Sequence, residues 1–239
     1  MSSASAAGRD HSESKSFRLS PSDFSFLWED CRRCFYMKVR NGLAPPKGPM
    51  PAMFTKIAGL QDRFFDGRRT EELVPQLPPG TFRYGEQKVC SAEFAPTGSA
   101  SSCYIAGRFD SVVHFDDGSY GIIDFKTSET KSAHRANYGR QLHAYAHALE
   151  NPAPGSFGLS PIALLGLLCL DVVEFGQGVK RNDLFYLRCN PVWVAIPRDN
   201  ELFLGFIGEV LKILSSPTPP PSPPDCAVCK YTDKIRGLA

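Results

Sequence analysis

The sequence has no long apolar run. Its longest, Ile162 to Leu170, is interrupted by Gly166 and falls far short of the roughly 20 residues a membrane-spanning helix needs. The opening residues, MSSASAAGRDHSESKS, hold no apolar segment, so no secretory signal is expected; the chain reads as cytoplasmic, with no membrane partner. Neither sign of charge is in excess: 27 Lys and Arg stand against 25 Asp and Glu, a net +2. That excludes binding to nucleic acid by bulk charge and leaves room only for a local basic patch. There is no internal repeat and no phosphate-binding GxxxxGK[ST] loop, which excludes a solenoid and a built-in nucleotide-driven motor. At 239 residues, 42% hydrophobic and 22% charged, the chain is neither disordered, collagen-like nor a coiled coil. It is long enough to bury a sizeable core without disulfides.

Cysteine is what the chain has in number. There are eight, and without an export signal the thiols are expected to be free or metal-bound. Four form two Cys-x-x-Cys pairs, Cys31/Cys34 and Cys226/Cys229. Cys90, Cys103, Cys169 and Cys189 sit singly in apolar or strand-like stretches and read as buried free thiols.

Residues 1–17 are Ser/Ala-rich and read as a disordered tail; residues 18–239 read as a single domain, with its core at about 80–197 and cysteine-bearing ends at 18–40 and 215–239. Ser20, Pro21 and Asp23 give a helix start, and Phe24, Leu27, Trp28, Cys31, Cys34 and Phe35 follow at helical spacing. A second helix is expected from Pro51 to Phe65. Segments 82–94 and 103–115 are strand-like, Asp116–Ser119 is a turn, and Tyr120–Thr127 is another strand. A helix over Asn137–Glu150, a buried strand over Ile162–Phe175, a closing hairpin of Leu184–Leu187 with Val192–Ile196, and an amphipathic helix from Leu202 to Leu214 complete the pattern. Ser215–Pro224 is a proline-rich strap. Helices before and after a mixed sheet give an α/β (α+β) class.

The sharpest chemistry lies in Gly107-Arg108-Phe109-Asp110 and Ile123-Asp124-Phe125-Lys126-Thr127. Alternation puts Asp124 and Lys126 on one strand face. Asp110 and Asp124 lie symmetrically about the turn at Asp117, so they become cross-strand neighbours. Two adjacent carboxylates repel unless something compensates. Mg²⁺ or Mn²⁺ is the natural compensation, being held by one or two carboxylates plus phosphate oxygens. Lys126 is then placed to orient a water or offset developing negative charge, the arrangement of metal-assisted phosphodiester hydrolysis.

These motifs, followed by Gln141-Leu-His-Ala-Tyr145, occur in an order that resembles the PD-(D/E)XK nuclease superfamily, in particular its RecB-like branch with AddB-type and CRISPR-associated exonucleases. Ser20–Tyr36 resembles that branch's opening helix, and Cys226–Tyr231 its closing cysteine motif. The resemblance implies a restriction-endonuclease-like core, a mixed sheet flanked by helices. It implies a Mg²⁺- or Mn²⁺-dependent DNA nuclease, exonucleolytic, in repair, recombination or CRISPR-type processing. Asp110, Asp124 and the Phe125 carbonyl become metal ligands, Lys126 the catalytic lysine, and Gln141 and Tyr145 contacts to the site or the DNA strand. Glu86 corresponds to an upstream acidic position, with Glu93 as a competitor. One departure stands out: the helix that often carries a metal-binding histidine, Met53 to Asp62, has none. Gln61, Asp62 or a water takes that place, or activity is weakened or lost. The alternative reading is therefore a nuclease-fold DNA-binding module, or a subunit of a larger helicase–nuclease complex.

Two cysteine pairs at ligand spacing make a four-thiolate site that staples the chain ends. The resemblance favours a 4Fe-4S cluster, though the two-plus-two spacing suits Zn²⁺ as well, and the role read for either is structural. Arg32, Arg33, Lys38 and Arg40 are candidates to line a DNA path, and Tyr36 to stack a base; an ordinary helix face and a core position are the bland readings of each.

Overall fold

The structure, a computed structural model, describes residues 16–46, 48, 51–127, 135–178 and 184–236. The tail expected over residues 1–17 lies mostly outside the described residues. Its last two residues do not belong to it: Ser16–Leu19 form strand β1, with Phe17 and Leu19 buried.

The first long helix is broken into three: α1 (Pro21–Ser25), α2 (Leu27–Asp30) and α3 (Arg32–Asn41). The breaks fall at Phe26 and Cys31, the latter in extended conformation. The helical spacing survives because all three pieces turn one face inward, burying Phe24, Trp28 and Phe35. Phe206 meets Phe24 and Trp28 edge-on, with ring centroids 5.1 and 5.4 Å apart. Removing a ring from such a packed centre costs about 3–5 kcal/mol. Helix α4 (Ala52–Phe65) follows as expected, and a short α5 (Thr70–Leu73) leads to the strands.

The two expected strand segments are each divided. The first becomes β2 (Gly80–Gly85) and β3 (Lys88–Cys90), the second β4 (Ser102–Arg108) and β5 (Ser111–Phe115). The turn at Asp116–Ser119 leads into β6 (Tyr120–Lys126), as the sequence indicates. Helix α6 (Arg135–Glu150) then crosses to β7 (Ile162–Gln177). Strands β6 and β7 are parallel, and a crossover of this kind is what a parallel pair requires. Residues 185–196 form one continuous strand, β8 (Phe185–Ile196), antiparallel to β7, so the expected hairpin within 184–196 does not exist. Pro191 looks like a break in sequence, yet β8 is the outer strand of its sheet, where a missing N–H is tolerated.

The sheets run β2-β5-β6-β7-β8 and β1-β4-β3. Both faces of the larger sheet are covered. On one, Ile122, Leu165, Leu167 and Val194 pack with α6 and with α7 (Asn200–Ser215). On the other, Ile123, Val113 and Leu168 pack with Phe65 of α4. After α7 the proline-rich segment carries the chain to α8 (Ala227–Arg236). This is the mixed α/β restriction-endonuclease-like fold. Cys103 and Cys169 are buried as expected, while Cys90 and Cys189 are only half-buried. No helix among the described residues is long and apolar enough to cross a membrane.

Candidate active site

Register builds the site. Strands β5 and β6 pair Ser111 with Ile123, and one step further along the ladder Asp110 faces Asp124. The Phe125 N–H donates to Asp110 Oδ2 at 3.0 Å. Asp124 is almost wholly buried. Its Oδ1 accepts from Gln141 Nε2 at 3.1 Å, and Gln141 Oε1 accepts from Ser25 Oγ at 2.7 Å. A chain from α1 through α6 thus fixes the carboxylate on β6. Asp124 Oδ2 accepts no hydrogen bond of ordinary geometry and faces the Lys126 ammonium in an ion pair. Lys126 Nζ also lies 4.6 Å from the centre of the Tyr138 ring.

The electrostatics follow from burial and crowding. Burial, then the charge of Asp124, pushes the Asp110 carboxyl up to about 7. Burial works to lower the Lys126 ammonium, but the Asp124 and Asp110 carboxylates outweigh it and the net shift is upward. Two carboxylates against one ammonium leave a deficit of positive charge. An oxygen-seeking divalent cation fits that donor set.

Tyr145 does not open onto the cleft. It is buried, and its hydroxyl donates to the Arg108 carbonyl at 2.6 Å, holding the end of β4 that leads to Asp110. Glu86 lies on the turn between β2 and β3 at φ 40°, with its N–H donating to the Asp110 carbonyl at 2.9 Å. This left-handed conformation is sparsely populated for a side chain of this kind. Glu93 lies elsewhere, with its carboxylate on Ser102.

Asp62 is the residue whose place is loosest when read from sequence. It lines a cleft of about 340 Å³ with Gln61, Glu86, Asp110, Phe125 and Thr127. A Cβ on Gly85 would sit 2.2 Å from Asp62 Oδ1, so glycine there is what lets the carboxylate lie against β2. Burial, then Glu86 and Asp66, raises its pKa. Gln61 Nε2 is buried with no partner. Thus the helix that lacks histidine still turns two polar side chains to the cleft. Asp62 and Glu86 line it without joining Asp110 and Asp124 as a close ligand set among the described residues.

The family profile described as the PD-(D/E)XK nuclease superfamily matches residues 56–233, which take in most of α4, the whole larger sheet and most of α8. The chain belongs to the PD-(D/E)XK nuclease superfamily. Members are phosphodiesterases that use divalent metals. Among solved structures, that described as the crystal structure of SSO0001 matches at 12% identity and a TM-score of 0.42, over 84% of this chain and 78% of that one. No curated protein matches.

The four cysteines meet as expected, with one difference. Cys31 is not on a helix; it is the N-cap of α3, and its Sγ accepts from the Cys34 N–H at 3.4 Å. Cys226 stands likewise just ahead of α8. Sγ atoms lie 3.7 Å apart for Cys31–Cys229 and Cys34–Cys229, and 3.8 Å for Cys34–Cys226; all four are within 4.8 Å of one another. A disulfide needs about 2.05 Å. Burial and the neighbouring sulfurs push the Cys34 thiol up, and burial raises Cys229 to about 11. Four sulfurs this close could hold one metal ion, and as thiolates they would need its charge.

The basic residues of α3 are occupied with structure. Arg32 stacks on Trp28, Arg33 pairs with Asp233 at 3.8 Å, Lys38 with Asp23 at 2.6 Å, and Arg40 donates to the Leu214 and Ser216 carbonyls. Tyr36 is buried and donates to the Ser216 carbonyl at 3.0 Å. Each of these five thus has a partner within the protein.

Proposed function

We propose that this chain is a Mg²⁺- or Mn²⁺-dependent DNA nuclease, exonucleolytic and of the RecB-like branch. The observation that carries the reading is the pairing of half-buried Asp110, which accepts from the Phe125 N–H, with buried Asp124, which faces Lys126. Asp110, Asp124 and the Phe125 carbonyl would hold the cation. A divalent cation bound there supplies a Lewis acid and lowers the pKa of a bound water. Lys126 offsets negative charge building on the phosphate oxygens and orients the attacking water. Gln141 holds Asp124 in its rotamer through Ser25. Tyr145 positions the Arg108–Asp110 backbone, so its role is to place the ligand rather than to touch the strand. Asp62 and Glu86 stand where a second water or a second cation would be gripped.

The branch assignment draws on the order of the motifs and on the meeting of the two chain ends at four sulfurs. For the metal there, the spacing favours Zn²⁺ over a 4Fe-4S cluster. Four ligands about 2.3 Å from one tetrahedral zinc stand about 3.8 Å apart, close to the separations seen. Thiolates on four separate irons of a cube spread wider. Metal analysis decides it: one zinc per chain is the expected result, and brown protein absorbing near 400 nm overturns it.

The activity test is cleavage of end-labelled single- and double-stranded linear DNA with Mg²⁺ or Mn²⁺, comparing wild type with Lys126→Ala. Cleavage from an end, lost in the variant, is the expected result. Absence of cleavage by metal-loaded wild type would leave a nuclease-fold DNA-binding module or a partner-dependent subunit. Equal cleavage by both would remove Lys126 from the chemistry.

A further inference from the structure

The smaller sheet has one face in the core and one face open. Phe17, Leu19, Val89, Cys103 and Ile105 point inward and are buried. Alternation puts Arg18, Lys88, Tyr104, Ala106 and Arg108 on the opposite face. Lys88 is directly opposite Arg108 in the β3–β4 ladder. Two like charges opposed across strands are unfavourable unless an anion lies between or over them. Arg108 has Glu86 as a partner at 3.2 Å, but Arg18 and Lys88 have no carboxylate partner among the described residues. Glu93 lies at the far end of this face, on Ser102.

Arg18, Lys88 and Arg108 line one open groove of about 610 Å³, together with Gly107 and the ring of Phe157. Three strands about 4.8 Å apart give a floor roughly 10 Å across, wide enough for one nucleic-acid backbone and too narrow for a duplex. The groove shares a wall with the acidic cleft. Arg108 is two residues before Asp110, and the Glu86 that pairs with it also lines the cleft around Asp62 and Asp110. A near-neutral protein has here the local basic strip that its net charge of +2 still permits.

We propose that this groove binds the phosphate backbone of a single nucleic-acid strand flanking the scissile phosphate, with Arg18 and Lys88 as its phosphate contacts. The proposal rests on the nuclease reading and extends it to a binding surface outside the catalytic cluster. Phosphate contacts position a strand without reading its sequence, so the groove would act on all sequences alike. Bases over the open face would find the Tyr104 and Phe157 rings, and stacking of that kind is sequence-tolerant.

The test measures binding of 5′-labelled oligothymidine of 4 and 16 nucleotides, with Ca²⁺ in place of Mg²⁺ or Mn²⁺, to wild type and to the double variant Arg18→Ala, Lys88→Ala. Wild type is expected to bind the 16-mer at least about tenfold tighter than the 4-mer. The variant should lose that advantage. Its dependence of log affinity on log salt should become shallower by about 1.4, since each phosphate a single strand has neutralised adds about 0.7 to that slope. Hydrolysis of bis(p-nitrophenyl) phosphate, too small to reach the groove, should be unchanged. Equal 16-mer affinity and equal salt slope in both proteins would overturn the groove. So would a wild type indifferent to length. Failure of wild type to hydrolyse any diester with Mg²⁺ or Mn²⁺ would instead overturn the nuclease reading, and the binding curves would still decide the groove.

Discussion

The acidic cleft and the cysteine knot are built by opposite means. Asp110, Asp124 and Lys126 come together through a four-residue turn and strict alternation along two neighbouring strands. Cys31 and Cys229 come together across nearly the whole chain, at the junction of α3 and α8. The cleft buries charge without full compensation, which strains the fold in return for chemistry. The knot gathers four sulfurs that a single cation would satisfy, which ties the ends down. Activity and stability should therefore separate when each region is damaged in turn.

The largest separation is expected from Lys126→Ala. Removing one group that offsets charge at the reacting phosphate lowers kcat by about 10²–10³. The metal proposed for the four cysteines should be retained in full, which metal analysis checks alongside the cleavage rate. Loss of that metal in Lys126→Ala would mean that the two regions are not independent.

The converse variant is Cys34→Ser, which removes the sulfur that lies against two others. Loss of a structural metal ranks among the strongest single destabilisations, about 4 kcal/mol. The denaturant midpoint should fall and the bound metal disappear. Cleavage per folded molecule, measured well below the new midpoint, should change less than twofold. A large fall in that quantity would make the cysteines part of the active site.

Between these stands Gln141→Leu, which cuts the link from Ser25 to Asp124. Residues that orient a metal ligand typically affect metal affinity or activity about 10–100-fold. The effect should appear chiefly as a higher Mn²⁺ requirement at saturating substrate. An unchanged Mn²⁺ titration would leave Gln141 as packing alone.

The difference between the regions also explains what the sequence discloses. The Asp110–Asp124 pairing is legible because a turn of Asp-Asp-Gly-Ser fixes register, and register fixes which side chains meet. The meeting of the cysteine pairs is legible from their spacing alone. The breaks at Phe26 and Cys31 are not, because a common inward face keeps the helical period across three short helices. The single strand β8 is hidden by Pro191, which signals an end unless the strand is known to be at an edge. Asp62 is hidden most deeply. Its place depends on the missing Cβ of Gly85, an approach between distant segments that leaves no period in either. Tyr145 shares a helix face with Gln141, but the helical period does not tell which of them meets a carboxylate and which a backbone carbonyl.

The smallest effect expected lies in α6, the helix that carries Gln141 and Tyr145. His143 is buried on it and His147 half-buried, and burial lowers the pKa of each from the ordinary value of 6.5. His143 Nε2 accepts the Asp199 N–H at 2.8 Å, which requires an unprotonated nitrogen. His147 packs on the Phe94 ring with Nε2 buried and unpartnered. Below about pH 6.5 the unfolded chain takes up protons that the folded chain refuses, so stability is present above that value and is lost as pH falls toward the folded pKa values. Asp110, pushed up to about 7 in the folded protein, takes up a proton over the same range and works the other way, so the test is made in Asp110→Asn: its denaturant midpoint should be lower at pH 5.5 than at pH 7.5, and the drop smaller when His147→Leu is added. An equal drop with and without His147→Leu would show that this ring takes up its proton alike in the folded and the unfolded protein. The compact packing around α6, which holds Gln141 against Asp124, would then need another account.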